Sequence, residues 1–165
     1  MPLFRSTVGL SALEEPAFVR RISLSLSTMA VLTGAGLRLY RAVVLQYGPS
    51  DRWLWVGGTF VVGLAFLLLM ATLHLGNHTV RSWLWRAPLF AFVESVTEMG
   101  VSLGLTLAGM ERIGSLTATL EDWQGAAGRI LFARMIGIPL FALVLALVST
   151  IVRLALLPRK PVNTE

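Results

Sequence analysis

An all-α fold, a polytopic membrane protein with four transmembrane helices in an antiparallel bundle, is what this sequence predicts, and three observations predict it. The first is composition. The chain is 55% hydrophobic and 14% charged, with a mean hydropathy of +0.73, whereas soluble domains run near 45–50% apolar and about 25% charged. The second is length: its apolar runs approach or exceed the roughly 18–20 residues that cross a hydrocarbon core. The third is what flanks them, since arginines and tryptophans gather at their edges, where orientation signals and interfacial anchors belong. We read residues 1–165 as a single membrane domain with spans at about 16–46, 53–75, 87–110 and 130–157 and an interfacial loop at 111–128.

The first span lies within a helix drawn from 16 to 46, with its uncharged part at 22–37. Ser11 and Glu14 fit a capping box and Pro16 suits a first helical turn; the other reading of residues 1–15 is a short polar tail. A charged stretch of 21 residues holding two acids before the apolar run is unlike a cleaved leader, so this span is expected to stay in the membrane. Arg20 and Arg21 flank it on one side, Arg38 and Arg41 on the other. Arg21 and Arg38 are about 25 Å apart at 1.5 Å per residue. Ser23, Ser27, Ala30 and Gly34 form one stripe of small and hydroxyl residues, a helix-packing surface.

A turn at 47–52 leads to the second span, which carries no Asp, Glu, Lys or Arg. Trp53 and Trp55 open it, and Trp83 and Trp85 precede the third, as an aromatic belt would. In the loop at 111–128, Leu116, Leu120 and Trp123 recur at helical spacing after Ser115, which fits a short amphipathic surface helix capped by that serine; the other reading is a plain polar loop. Pro139 is expected to kink or loosen the start of the fourth span.

Four spans place both termini on one side. With the termini cytoplasmic, Arg5, Arg20, Arg21, Arg81, Arg86, Arg153, Arg159 and Lys160 lie inside, against Arg38, Arg41, Arg52, Arg112, Arg129 and Arg134 outside. Eight against six favours that orientation. Only Lys160 of the 14 basic residues is lysine, a skew that fits a GC-rich bacterial genome and hence a bacterial inner membrane.

The third span is the unusual one. Glu94, Glu98, Ser102 and Thr106 are spaced four apart and climb one helix face, an intramembrane polar ladder. Carboxylates at that depth cost at least a few kcal/mol each and commonly mark function. Gly100, Gly104 and Ala108 form a separate row suited to close helix packing. No arginine of the chain is expected at the carboxylates' depth, since Arg38, Arg134 and Arg153 flank apolar runs. Three readings follow: a proton-relay or cation-binding pair with at least one carboxyl protonated, a pair hydrogen-bonded to Ser23, Ser27 or Thr28 of the first span, or an ion pair with another subunit.

His74 and His78 would share a face if the helix passed Gly76, and could then ligate a metal, a haem or a pigment; Gly76-Asn77 is expected to end the helix first, leaving two interfacial histidines. With no cysteine, disulfides, zinc–thiolate sites, iron–sulfur clusters and thiol nucleophiles are excluded. Gly34-Ala-Gly36 and Gly57-Gly58 lack the strand–loop–helix setting of a nucleotide site, and no Ser–His–Asp set can be assembled. The expected function is therefore that of a non-enzymatic accessory, structural or assembly subunit of a larger membrane complex, of respiratory or photosynthetic type among others. Its partners would be the bilayer and other membrane subunits or further copies of itself, and not nucleic acid, and no cofactor is predicted. The first alternative is a proton- or cation-coupled conduit using Glu94 and Glu98. The second is a pigment- or haem-binding redox component using His74 or His78.

Overall fold

A computed structural model describes residues 24–49, 52–113 and 116–156. The described residues form four long helices: α1 (Leu26–Tyr47), α2 (Trp53–Gly76), α3 (Val80–Leu107) and α4 (Leu120–Leu156). Each contains a stretch long and apolar enough to cross a membrane. Between α3 and α4, β1 (Arg112–Ile113) pairs antiparallel with β2 (Leu116–Thr117), Arg112 opposite Thr117. The arrangement is an all-α four-helix bundle. Helix α3 is its centre, packed along both α1 and α4, while α2 lies mainly on α1 and touches α3 and α4 only lightly.

The helix ends follow local chemistry. Ser25 caps α1, its Oγ accepting from the Thr28 N–H at 3.1 Å. This start is later than the expected helix from 16, and residues 1–23, with Ser11, Glu14, Pro16 and Ser23, lie outside the described residues. Gly48 follows the last residue of α1 with extended backbone, and a Cβ there would overlap the Trp55 indole. Helix α2 stops at Gly76, as the Gly-Asn pair predicts, with the His78 N–H returning to the Leu75 carbonyl at 2.9 Å.

Helix α4 departs most from expectation. It begins at Leu120, ten residues before the expected start, and runs for 37 residues without interruption, with Pro139 inside it. The cause is a reciprocal cap. Thr119 N–H donates to Asp122 Oδ2 at 2.9 Å, and Asp122 N–H donates to Thr119 Oγ1 at 3.3 Å. Leu116 and Trp123 therefore do not share a short surface helix; the first belongs to the hairpin and the second to α4. Ser115, the expected cap, lies outside the described residues.

The bundle interior is stratified. At the end holding the α2–α3 turn, Met29, Leu67, Leu75, Trp83, Phe90, Ile138 and Ala142 form an apolar core. Trp83 is part of it, only 7% exposed with its indole N–H donating to the His78 carbonyl, so it leaves the expected aromatic belt to Trp53, Trp55 and Trp85. Leu, Val and Phe side chains of all four helices cover the outside. Such a surface suits lipid contact and would not suit water.

Candidate functional site

The middle of the bundle is ionic. Glu94, Ser95, Glu98, Ser102 and Thr106 all fall on the buried face of α3, and both carboxylates are fully buried. Arg41 of α1 reaches Glu98, its Nη1 donating to Oε1 at 2.6 Å. Arg134 of α4 approaches from the opposite side, with Nη2 donating to Glu98 Oε2 at 3.2 Å and Nε 3.7 Å from Glu94 Oε2. The expectation that no arginine stands at the carboxylates' depth is thus corrected. Both helices are longer than their uncharged runs, so Arg41 sits within α1 and Arg134 is 14 residues, about 21 Å, inside α4.

The two glutamates are not equivalent. Glu98 holds both of its oxygens in charge-assisted hydrogen bonds. Glu94 is held loosely: Ser95 Oγ stands 3.5 Å from Oε2, and Oε1 is buried without any hydrogen-bond partner. Hydroxyls of α1 play no part at the carboxylates. Ser25 and Thr28 are occupied with the helix cap, Ser27 is exposed, and Thr33 donates to the Met29 carbonyl of its own helix. Thr106 does likewise, donating to the Ser102 carbonyl at 2.9 Å.

Gly34 lets this network form. A Cβ there would overlap the Glu94 carbonyl oxygen and stand 3.0 Å from the Glu98 nitrogen, so α1 and α3 touch backbone to backbone beside the carboxylates. Ala30, one turn earlier, is fully buried on the same face. The second expected packing row behaves differently. Gly100, Gly104 and Ala108 face outward, and a Cβ on Gly100 or Gly104 would meet nothing within 4 Å. That row packs on no neighbour within the described residues.

A second ion pair closes the loop end. Arg38 engages Glu111 with both Nε and Nη2. Burial pushes the Glu111 carboxyl above the usual carboxylate range, opposed by the Arg38 charge. Below the loop, the indole N–H of Trp123 donates to the Met99 carbonyl at 3.1 Å, tying the first turn of α4 to α3.

The histidines lie at the other end. His74 is 3% exposed, stacked on Phe90 with ring centroids 5.8 Å apart and in edge contact with His78 at 5.2 Å. Its Nε2 has no hydrogen-bond partner. Among the described residues, no group of three or more His, Cys, Asp or Glu is placed to hold a metal ion. Sequence reasoning found the ladder but missed Arg41 and Arg134 as its partners. The available signal was the unbroken helical pattern carrying each arginine inward. Comparison with protein-family models, curated proteins and solved structures finds no match, so the reading of the site rests on its geometry.

Proposed function

We propose that the chain is a non-enzymatic membrane subunit that packs into, or assists the assembly of, a larger complex. One observation carries this reading: Glu98, the fully buried carboxylate at the centre of the cluster, is paired within the chain by Arg41 and Arg134 together. A polar core that closes on itself holds three helices in register and leaves recognition to the outer surface. That surface offers the Gly100–Gly104–Ala108 row with open space above its glycines. A bacterial inner membrane with both termini cytoplasmic fits the sequence.

The test is extraction from native membranes in mild detergent, without overexpression, followed by size analysis and identification of co-migrating chains. The chain is expected in a larger assembly, and Gly104→Leu should release it while its thermal unfolding is unchanged. A lone monomer from the unaltered membrane would sink the reading.

A second reading, a proton conduit, is favoured by the free Oε1 of Glu94. Glu94 rather than Glu98 is then the group that takes and gives up a proton, because Glu98 is fixed between two guanidinium groups. In proteoliposomes this reading expects Glu94→Gln to abolish a pH-gradient-driven flux, and undiminished flux in that variant removes it.

A further inference from the structure

The loop end of the bundle encloses a cavity of about 300 Å³ lying between Arg41 and the β1–β2 hairpin. Its wall carries three guanidinium groups, Arg38, Arg41 and Arg112, and two carboxylates, Glu111 and Asp122. Both carboxylates already have partners within the chain. Glu111 takes the fork of Arg38, and Asp122 Oδ2 accepts from both the N–H and the hydroxyl of Thr119. The arginines are not fully occupied. Arg41 is 8% exposed, yet its Nε has no acceptor, and Arg112 is exposed and makes no ion pair among the described residues. Each guanidinium offers five N–H donors in a planar fork, so the wall has donors and positive charge in excess. With Glu111 paired to Arg38, the three guanidinium groups outweigh the two carboxylates of the wall, which favours an anion over a cation.

We infer that this cavity binds a phosphoryl group, supplied by the headgroup of an anionic phospholipid. A guanidinium fork matches phosphate oxygens in geometry as well as charge, and basic pockets between membrane helices receive phospholipid headgroups in this way. The lining also has an apolar part, Val56 and Phe60 of α2, the helix least attached to α3 and α4, with the Arg41 guanidinium 4.8 Å over the Phe60 ring. Such a wall is suited to the glycerol and first methylenes of a lipid, and a free phosphate would gain nothing from it. The cavity volume is at the lower end for a ligand pocket, enough for a headgroup and not for a whole lipid.

The full chain, purified in a non-ionic detergent, is titrated with phosphatidylglycerol, with phosphatidylcholine of the same acyl chains, and with inorganic phosphate. Retention is read by native mass spectrometry and by the shift in thermal unfolding. Phosphatidylglycerol is expected to bind at least about tenfold more tightly than phosphatidylcholine. Arg112→Gln should lower that preference several-fold, and the double change Arg38→Gln with Glu111→Gln, which removes a whole ion pair, should lower it further. Arg129→Gln is the control: this exposed arginine donates to the Gly125 carbonyl of its own helix, does not line the cavity, and should leave the preference intact. Stabilisation by inorganic phosphate that is lost in Arg112→Gln supports the site and assigns it to a soluble phosphate instead. Equal binding of the two lipids with no response to phosphate overturns the inference. So does a phosphatidylglycerol preference that survives both cavity variants.

Discussion

The two halves of this bundle are held together by different physics. Around Met29, Leu67, Trp83, Phe90 and Ile138 the helices meet through apolar side chains, with the buried His74 ring stacked on Phe90 and no ion pair among them. In a bilayer that half gains little from the hydrophobic effect, because lipid tails are as apolar as leucine, and its cohesion is the dispersion energy of close packing. The other half is built from Arg41, Glu94, Glu98 and Arg134, whose partners are defined atom by atom. Apolar contacts tolerate a slide of one helix past another, whereas a slide of one residue separates Glu98 from two guanidinium groups. The contrast teaches that in this molecule packing supplies adhesion and charge supplies register.

The largest expected effect breaks the charged half. Glu98→Ala leaves Arg41 and Arg134 without their shared partner and should cost about 3–5 kcal/mol, read as loss of the folded bundle in denaturant titrations in detergent. Phe90→Ala probes the apolar half. It should cost about 2–3 kcal/mol, less than the 3–5 typical of a water-soluble core, since the cavity term persists while the transfer term is reduced in lipid. Gly34→Ala drives a methyl into the Glu94 carbonyl and should cost about 1–3 kcal/mol through helix separation, whereas Gly100→Ala, in open space, should leave unfolding unchanged or raise stability by up to about 1 kcal/mol. If both glycine variants behave alike, the assignment of the two rows is wrong.

Glu94→Gln sharpens the comparison within the charged half. Arg134 keeps its 3.2 Å bond to Glu98, and the Oε1 that changes has no partner to lose. What is lost is the longer attraction of Arg134 Nε to Glu94 Oε2 at 3.7 Å, so the cost should be about 1–3 kcal/mol, under that of Glu98→Ala. The smallest effect is expected at His78, in the α2–α3 turn, where burial, and then the Arg86 charge, hold its imidazole below the usual histidine range. A lowered folded value means that the unfolded chain binds the proton more readily. Stability is then complete above the unfolded value near 6.5 and declines as pH falls through the folded one. Hydrogen exchange in the turn should quicken slightly on acidification, and His78→Gln should remove that response.

Much of the fold could be read from residues, because span length and flanking charge are local properties. The end of α2 at Gly76 and the buried face of α3 were legible for the same reason. What could not be read was the pairing. Arg41 and Arg134 look like flanking charges when each apolar run is read alone, and only the approach of α1 and α4 to α3 turns them into partners of Glu98. The cap at Thr119 and Asp122 was written in the sequence as a threonine with an acid three residues on, but the loop's polarity hid it. The Gly100 and Gly34 rows are both built of small residues, so residue size could not tell that one faces a backbone and the other does not.

The distribution of charge among the helices also bears on how the protein is made. Helices α1 and α3 are the least apolar spans, with hydropathies of 1.3 and 1.2 against 2.2 and 2.6 for α2 and α4, and they carry most of the ionic cluster. A single arginine near the centre of a span costs about 2.5–3.5 kcal/mol on emergence from the translocon. A nascent chain that has reached only Leu107 can offer Glu94 and Glu98 no counter-charge except Arg41, because Arg134 has yet to be synthesised. The ionic cluster is therefore complete only once α4 has joined α1 and α3, because Arg134 is the second guanidinium that Glu98 holds.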